Sequence, residues 1–198
     1  MRKIKQLVLI LIATAGLLSC EAEKIDEVVK DDSLPGKAIL RFQLNGITRI
    51  AKGDDVKVFL EGNFITLQAT IKDVNTDFSP VVLKIKMTKL ATGFYPTNYT
   101  SLIDPQNPVP INQLQYTYAT FKDRDLTWEY STQNVETITD MGSLVVNTIN
   151  VNAQYFEGTF SYTMNPPKEV NGLPLNPVPS PIKIENGYFE YVKYQTSN

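Results

Sequence analysis

The chain predicts an all-β domain, a single antiparallel β-sandwich or partly open barrel, and three features of its sequence carry that expectation. After Gly36 the apolar residues recur with period two rather than 3.6. Turn-forming residues punctuate that pattern at regular intervals. No ten-residue window beyond the N-terminal segment carries the apolar stripe of an amphipathic helix.

Residues 39–44 (ILRFQL) open the pattern. In 65–71, Ile65, Leu67, Ala69 and Ile71 alternate with Thr66, Gln68 and Thr70, which gives a strand one buried face. Val81, Leu83, Ile85 and Met87 repeat this against Lys84, Lys86 and Thr88. Further strands are expected at 115–121, 126–130, 143–153, 158–164 and 187–194, where β-branched and aromatic residues dominate. Between them lie turn signals at Asn45-Gly46, Gly53-Asp54-Asp55, Glu61-Gly62-Asn63, 75–80, 123–125 and Asn186-Gly187. Two longer loops interrupt the rhythm. Residues 96–112 hold Pro105, Pro108 and Pro110, and 165–181 hold Pro166, Pro167, Pro174, Pro177, Pro179 and Pro181. A fixed φ and a missing N–H keep such a stretch out of any central strand.

The N-terminus is a targeting segment. Arg2, Lys3 and Lys5 precede an uncharged run at 7–18, LVLILIATAGLL. As a helix at ~1.5 Å per residue it would span ~18 Å, against roughly 30 Å of bilayer hydrocarbon, so it suits a signal peptide and not a membrane span. Leu17-Leu18-Ser19-Cys20 resembles the lipobox of bacterial lipoproteins. That resemblance implies cleavage before Cys20 and attachment of a diacylglyceryl group to its sulfur. A thiol is the side chain able to take the lipid as a thioether, and two or more acyl chains anchor durably at ~0.8 kcal/mol per buried CH₂. Cys20 is the only cysteine. With its sulfur so used, no disulfide forms and no thiolate is left for a metal.

Three parts follow: a signal peptide at 1–19, a lipidated flexible linker at 20–36 and a β domain at 37–195. Removing the leader from 198 residues leaves 179, enough for one domain to bury its core without disulfides. The leader holds three of the 19 basic residues, so 16 face 21 acidic ones, a net charge of −5. No basic patch marks a nucleic-acid partner. The linker, EAEKIDEVVKDDSLPG after the cysteine, is too charged to order itself. Its acidic residues Glu21, Glu23, Asp26 and Glu27 resemble the surface-export signal of Bacteroidota lipoproteins. Asp32-Ser33-Leu34 is similar to the O-glycosylation motif of that phylum, which would place a glycan on Ser33.

The C-terminal third carries a more specific pattern. Ile149-Asn150-Val151 leads into Glu157-Gly158-Thr159-Phe160-Ser161-Tyr162; a proline-rich loop follows, then Ile182-Lys183-Ile184-Glu185-Asn186-Gly187-Tyr188-Phe189. Together with Gly93-Phe94-Tyr95, this order resembles a family of uncharacterised Bacteroidota lipoproteins, over about half the folded domain. The resemblance implies a small, mostly β domain on a lipid anchor and brings no catalytic residues; the expected location is the outer membrane, with the acidic stretch as the pointer to the cell surface. Mechanically, Gly158 permits a bulge or a tight start to its strand, and Asn186-Gly187 suits a turn with positive φ.

Chemistry is sparse. Histidine is absent, which removes the commonest general base, the Ser-His-Asp triad and imidazole ligands. Carboxylates remain: Asp54, Asp55, Asp123 and Asp125 are the candidates for a glycosidase-type pair, which would need them within about 5–10 Å. Asp73, Asn75 and Asp77 have the D-x-N-x-D spacing of a Ca²⁺ loop, but Phe78 stands where its glycine belongs and Lys84 where its bidentate glutamate belongs. Tyr95, Tyr99, Tyr116, Tyr118, Trp128, Tyr130, Tyr155 and Tyr162 offer flat faces with polar edges, for a sugar, a protein interface or the sheet itself. Asn98-Tyr99-Thr100 matches an N-glycosylation sequon, a chemistry not expected of this bacterial class.

The expectation is a membrane-anchored envelope lipoprotein, not an enzyme and without cofactor, whose β domain binds a glycan or an envelope protein. The alternatives are a carboxylate-based glycoside hydrolase and a structural subunit of an envelope assembly.

Overall fold

A computed structural model describes residues 36–72, 80–103, 105–106, 110, 113–124, 126–135 and 139–194. The signal peptide, Cys20, Ser33 and the linker up to residue 35 lie outside these, as do Asp73, Asn75, Asp77 and Asp125.

Local turn chemistry sets the first registers. β1 (Ile39–Leu44) and β2 (Ile47–Lys52) are joined by Asn45-Gly46, both left-handed at φ 48° and 83°. That pair makes a two-residue turn whose twist matches the strands, and Leu44 therefore sits opposite Ile47. A 3₁₀ turn (Gly53–Asp55) leads to β3 (Val56–Glu61), and Gly62 and Asn63 turn the chain into β4 (Phe64–Ile71). Then follow β5 (Val81–Met87), β6 (Gly93–Pro96), a 3₁₀ turn (Tyr99–Leu102), β7 (Thr117–Lys122) and β8 (Tyr130–Ser131). The chain ends in β9 (Gly142–Asn150), β10 (Tyr155–Met164), the small hairpin β11 (Glu169–Val170) and β12 (Leu173–Pro174), and β13 (Ile182–Lys193).

All the pairings are antiparallel, in a six-stranded sheet ordered β2-β1-β13-β10-β9-β6 and a five-stranded sheet ordered β3-β4-β5-β7-β8. The two pack face to face and do not close into a barrel, so the molecule is an all-β sandwich. Leu40, Phe42, Leu144, Phe156, Met164, Ile184 and Phe189 of the first sheet meet Leu67, Leu83, Ile85, Met87 and Phe121 of the second, all essentially without solvent contact. Each such side chain contributes about 1.5–3 kcal/mol of burial.

A buried hydrogen bond crosses this core. Thr117 Oγ1 donates to the Lys86 carbonyl at 2.8 Å, so the Tyr162 hydroxyl, 2.9 Å away, donates to Thr117. At one edge Ser131 and Asn165 exchange backbone bonds of 2.9 and 3.0 Å, tying β8 to the chain leaving β10.

The structure corrects four expectations. Asn186-Gly187 is not a turn: β13 runs straight through it. Against both neighbours β13 spends three residues where they spend two (Arg41↔Tyr188 then Gln43↔Glu185; Phe160↔Gly187 then Tyr162↔Ile184). Asn186 is left-handed at φ 50°, so the positive φ is real but serves a bulge. Residues 126–130 do not form a strand; only Tyr130 pairs, in β8. The strand expected at 143–153 stops at Asn150, where residues 151–154 turn the chain into β10. Gly158 lies inside β10 rather than at its start, and both neighbouring strands bulge beside it, β9 between Thr148 and Val146 and β13 between Val192 and Phe189.

Candidate functional site

The outer face of the six-stranded sheet carries a trough. Along β10, Phe160, Tyr162 and Met164 point into the core, which leaves Thr159, Ser161 and Thr163 outside. On β9 the same alternation buries Leu144 and Val146 and presents Ser143 and Val145 outward. The middle of the sheet is therefore floored by short side chains, four of them hydroxyls.

Longer side chains wall it. The register row Arg41, Tyr188, Thr159, Val145, Phe94 runs across five strands. Tyr188 and exposed Phe94 thus flank the floor three strand spacings apart, about 14 Å. Two shallow depressions lie along it, of about 270 and 390 Å³, and Ser161 lines both. Asp140, Lys183 and Glu185 border the smaller one, and Asn186 and Tyr188 border the larger.

Backbone geometry holds these walls. Gly142 has φ 120°, and a Cβ there would lie 2.1 Å from the Ser161 carbonyl, so only glycine lets β9 approach β10 this closely. Its N–H bonds Asp140 Oδ1 at 3.1 Å, which fixes that carboxylate at the trough's end. Thr97 Oγ1 accepts from the Met141 N–H at 2.7 Å and holds the same turn. On the opposite wall the bulge at Asn186 turns its amide toward β1, where Nδ2 donates to Gln43 Oε1 at 2.9 Å.

The arrangement offers donors and acceptors on a flat hydroxylated strip, with an aromatic residue at each side. A polyhydroxylated chain has matching chemistry. Both sequence motifs of the C-terminal third build the trough, yet Tyr188 and Phe94 do not stand among the aromatic candidates read from the sequence. The signal that would find them is alternation: each neighbours a buried aromatic at odd spacing and so must face outward.

The eight candidate aromatics scatter. Tyr95 and Tyr162 are core residues, and burial raises the pKa of the Tyr162 hydroxyl strongly, against the lowering effect of its bond to Thr117. Tyr99, Tyr116 and Tyr118 gather with Phe64 on the outer face of the five-stranded sheet, at ring separations of 4.9–5.9 Å. There the Lys86 ammonium lies 5.3 Å from the Tyr118 ring and 3.2 Å from Glu61, which also meets Lys84 at 3.6 Å. Trp128 packs edge-on against Tyr130, and Tyr155 lies tilted against Tyr191.

Among the described residues the candidate acids do not converge. Asp55 pairs with Lys72 at 2.5 Å, Asp54 is exposed beside it, and Asp123 bonds the Arg124 N–H. Asp55 precedes β3 and Asp123 follows β7, three strand spacings or about 14 Å apart. Among the described residues no three Asp or Glu side chains are grouped to hold a metal ion. Asn98 of the sequon caps the 3₁₀ turn, its Oδ1 accepting from the Thr100 N–H at 3.1 Å.

No family model matches the chain, and no curated protein or solved structure is significantly similar to it.

Proposed function

We propose that this protein is an envelope lipoprotein, lipidated on Cys20 and carried on the outer membrane, whose β-sandwich binds a glycan in the trough between Tyr188 and Phe94. The lipobox-like Leu17-Leu18-Ser19-Cys20 and the acidic residues behind it support the anchor and the surface location, in the manner of the Bacteroidota lipoproteins that the chain resembles. The observation that carries the binding function is the floor of Ser143, Thr159, Ser161 and Thr163 between an aromatic residue on either side. Sugar rings stack on aromatic faces through their C–H groups and exchange hydrogen bonds with hydroxyls and carboxylates at the edges. Binding requires no proton transfer, so the reading assigns no catalytic residue.

Affinity gel electrophoresis of the full chain tests this, with a neutral glucan, a mannan and a uronic-acid polymer each cast into the gel. At least one polymer should retard the wild-type chain. Tyr188→Ala, and Ser161→Trp, which fills the trough, should each weaken retardation at least about tenfold, a loss of ~1.4 kcal/mol. Retardation that survives both substitutions, or none with any of the three polymers, overturns the reading.

A further inference from the structure

We propose that a second copy of this chain pairs with the open edge of the five-stranded sheet, strand β3 against strand β3, about a two-fold axis at Phe59. This inference stands apart from the glycan reading.

β3 is the outermost strand of its sheet, bonded to β4 on one side and, among the described residues, to no strand on the other. Free edges of this length are usually blunted by proline, by charged side chains or by a bulge. β3, VKVFLE, has no proline and pairs with β4 without a register shift, and its two charges, Lys57 and Glu61, are of opposite sign. It also exposes Phe59 at 38% and Leu60 at 70%.

The register follows from the hairpin. Glu61 and Phe64 close a two-residue turn, so Glu61, Phe59 and Lys57 direct their backbone groups to β4. Val56, Val58 and Leu60 then direct theirs to the open edge. An antiparallel partner must bond to these, which allows only alternate registers. In the register centred on Phe59, Val58 bonds opposite Leu60 of the other copy and Phe59 faces Phe59. Lys57 faces Glu61, and by symmetry Glu61 faces Lys57. Both charged residues of the strand thereby meet opposite partners on the face they already occupy. A two-fold interface needs this self-complementarity, and directly opposed unlike charges and aromatic pairs each stabilise a sheet.

The other six-residue edge shows the contrast. β2 reads ITRIAK, with Arg49 and Lys52 and no acidic residue, so no antiparallel self-pairing of it unites opposite charges. Its cations mark it as the blunted edge.

Cysteine cross-linking of the full chain in detergent tests the register. In the paired strands Phe59 and its copy are a non-hydrogen-bonded pair with Cα atoms about 4.5 Å apart, within the disulfide range. Phe59→Cys should give a covalent dimer under mild oxidation. The wild-type chain, whose one cysteine is Cys20, and Val82→Cys, two strands in from that edge, should not. Lys57→Glu should weaken association at least about tenfold by sedimentation, since each dimer then opposes two pairs of like charges. Mixing Lys57→Glu with Glu61→Lys chains should restore it, because the mixed pair regains both opposite-charge contacts. Failure of Phe59→Cys to cross-link, or equal cross-linking of Val82→Cys, overturns the proposal; the cysteine result needs no charge variant to fold.

Discussion

Gly158 lies directly opposite Phe189, and a Cβ on the glycine would fall 2.6 Å from the phenylalanine's Cζ. The ring occupies the place where a side chain would be. Two residues along, the roles reverse: Phe160 lies opposite Gly187, and a Cβ there would meet the Phe160 ring at 2.5 Å. Between them Thr159 faces Tyr188. The two Gly-x-Phe triplets of the C-terminal motifs are therefore antiparallel partners, each glycine roofed by the other's ring. The rings themselves stack at 6.4 Å and 26°. Neither glycine has positive φ, so space and not backbone freedom fixes them.

Replacing these glycines should be costly, and unequally so. In Gly187→Ala the three nearest atoms all belong to the Phe160 ring, which can shift, so about 1–3 kcal/mol is expected from overpacking. Gly158→Ala also drives its methyl to 2.1 Å from the Val145 carbonyl oxygen, part of the neighbouring strand. It should lose about 3 kcal/mol or more. Urea denaturation of both variants checks the order; equal losses would show that Val145 yields as easily as the Phe160 ring.

The buried hydrogen bond between Tyr162 and Thr117 should show an asymmetry. Tyr162→Phe removes a donor and leaves Thr117 bonded to the Lys86 carbonyl, at a cost of about 1 kcal/mol. Thr117→Val strands the Tyr162 hydroxyl in the core and should cost about 1–3 kcal/mol. Burial holds the Tyr162 pKa far above its ordinary 10.0. The folded chain keeps that proton where the unfolded chain releases it, so this contribution is intact below pH 10 and declines above it. The loss of stability between pH 8 and pH 11, read as the shift in urea midpoint, should shrink when Tyr162 is phenylalanine.

Much of this architecture was legible because alternation is a local property. Residues 81–87 alternate throughout as the period implies, and 40–44 and 67–71 bury their apolar face likewise, while Ile39 and Thr66 are buried against parity by what covers the other face. Asn186-Gly187 was not legible, because its chemistry demands only a positive φ. Whether the chain then reverses or bulges depends on β1 and β10, more than twenty residues away in sequence. Leu126, Trp128 and Tyr130 alternate like a strand, but β7 pairs there only through Phe121 and Thr120. The trough lies between these cases. Its hydroxyls on β10 can be read from the alternation, whereas Ser143, Tyr188 and Phe94 join them only through the register of four strands.

Glu61 should shape the acid limb of stability. Burial alone would raise its pKa; its hydrogen bond to Lys86 and the charges of Lys84 and Lys86 prevail and hold it below 4.5. A depressed carboxylate adds stability above its unfolded pKa, which is lost as pH falls through the folded value. With the Glu61 side chain 39% exposed, solvent screening keeps the contribution under about 1 kcal/mol. Glu61→Gln should therefore lose little at pH 7 and flatten the decline below pH 4.5. A decline unchanged in the variant would assign acid sensitivity to other carboxylates.

The anchor yields the last expectation. A thioether forms only on sulfur, so Cys20→Ala removes the lipid acceptor while the charged and apolar parts of the leader stay as they are. On the proposed anchoring, such a chain should still engage the export machinery, since Arg2, Lys3, Lys5 and the run at 7–18 are unchanged, but should carry no acyl chains to hold it. It should keep its leader uncut, whereas the wild-type chain should begin at a diacylglyceryl cysteine and enter the detergent phase on Triton X-114 partitioning. Mass spectrometry of the wild-type N-terminus decides the matter: a free thiol on a mature Cys20 would remove the lipid, and with it the membrane location.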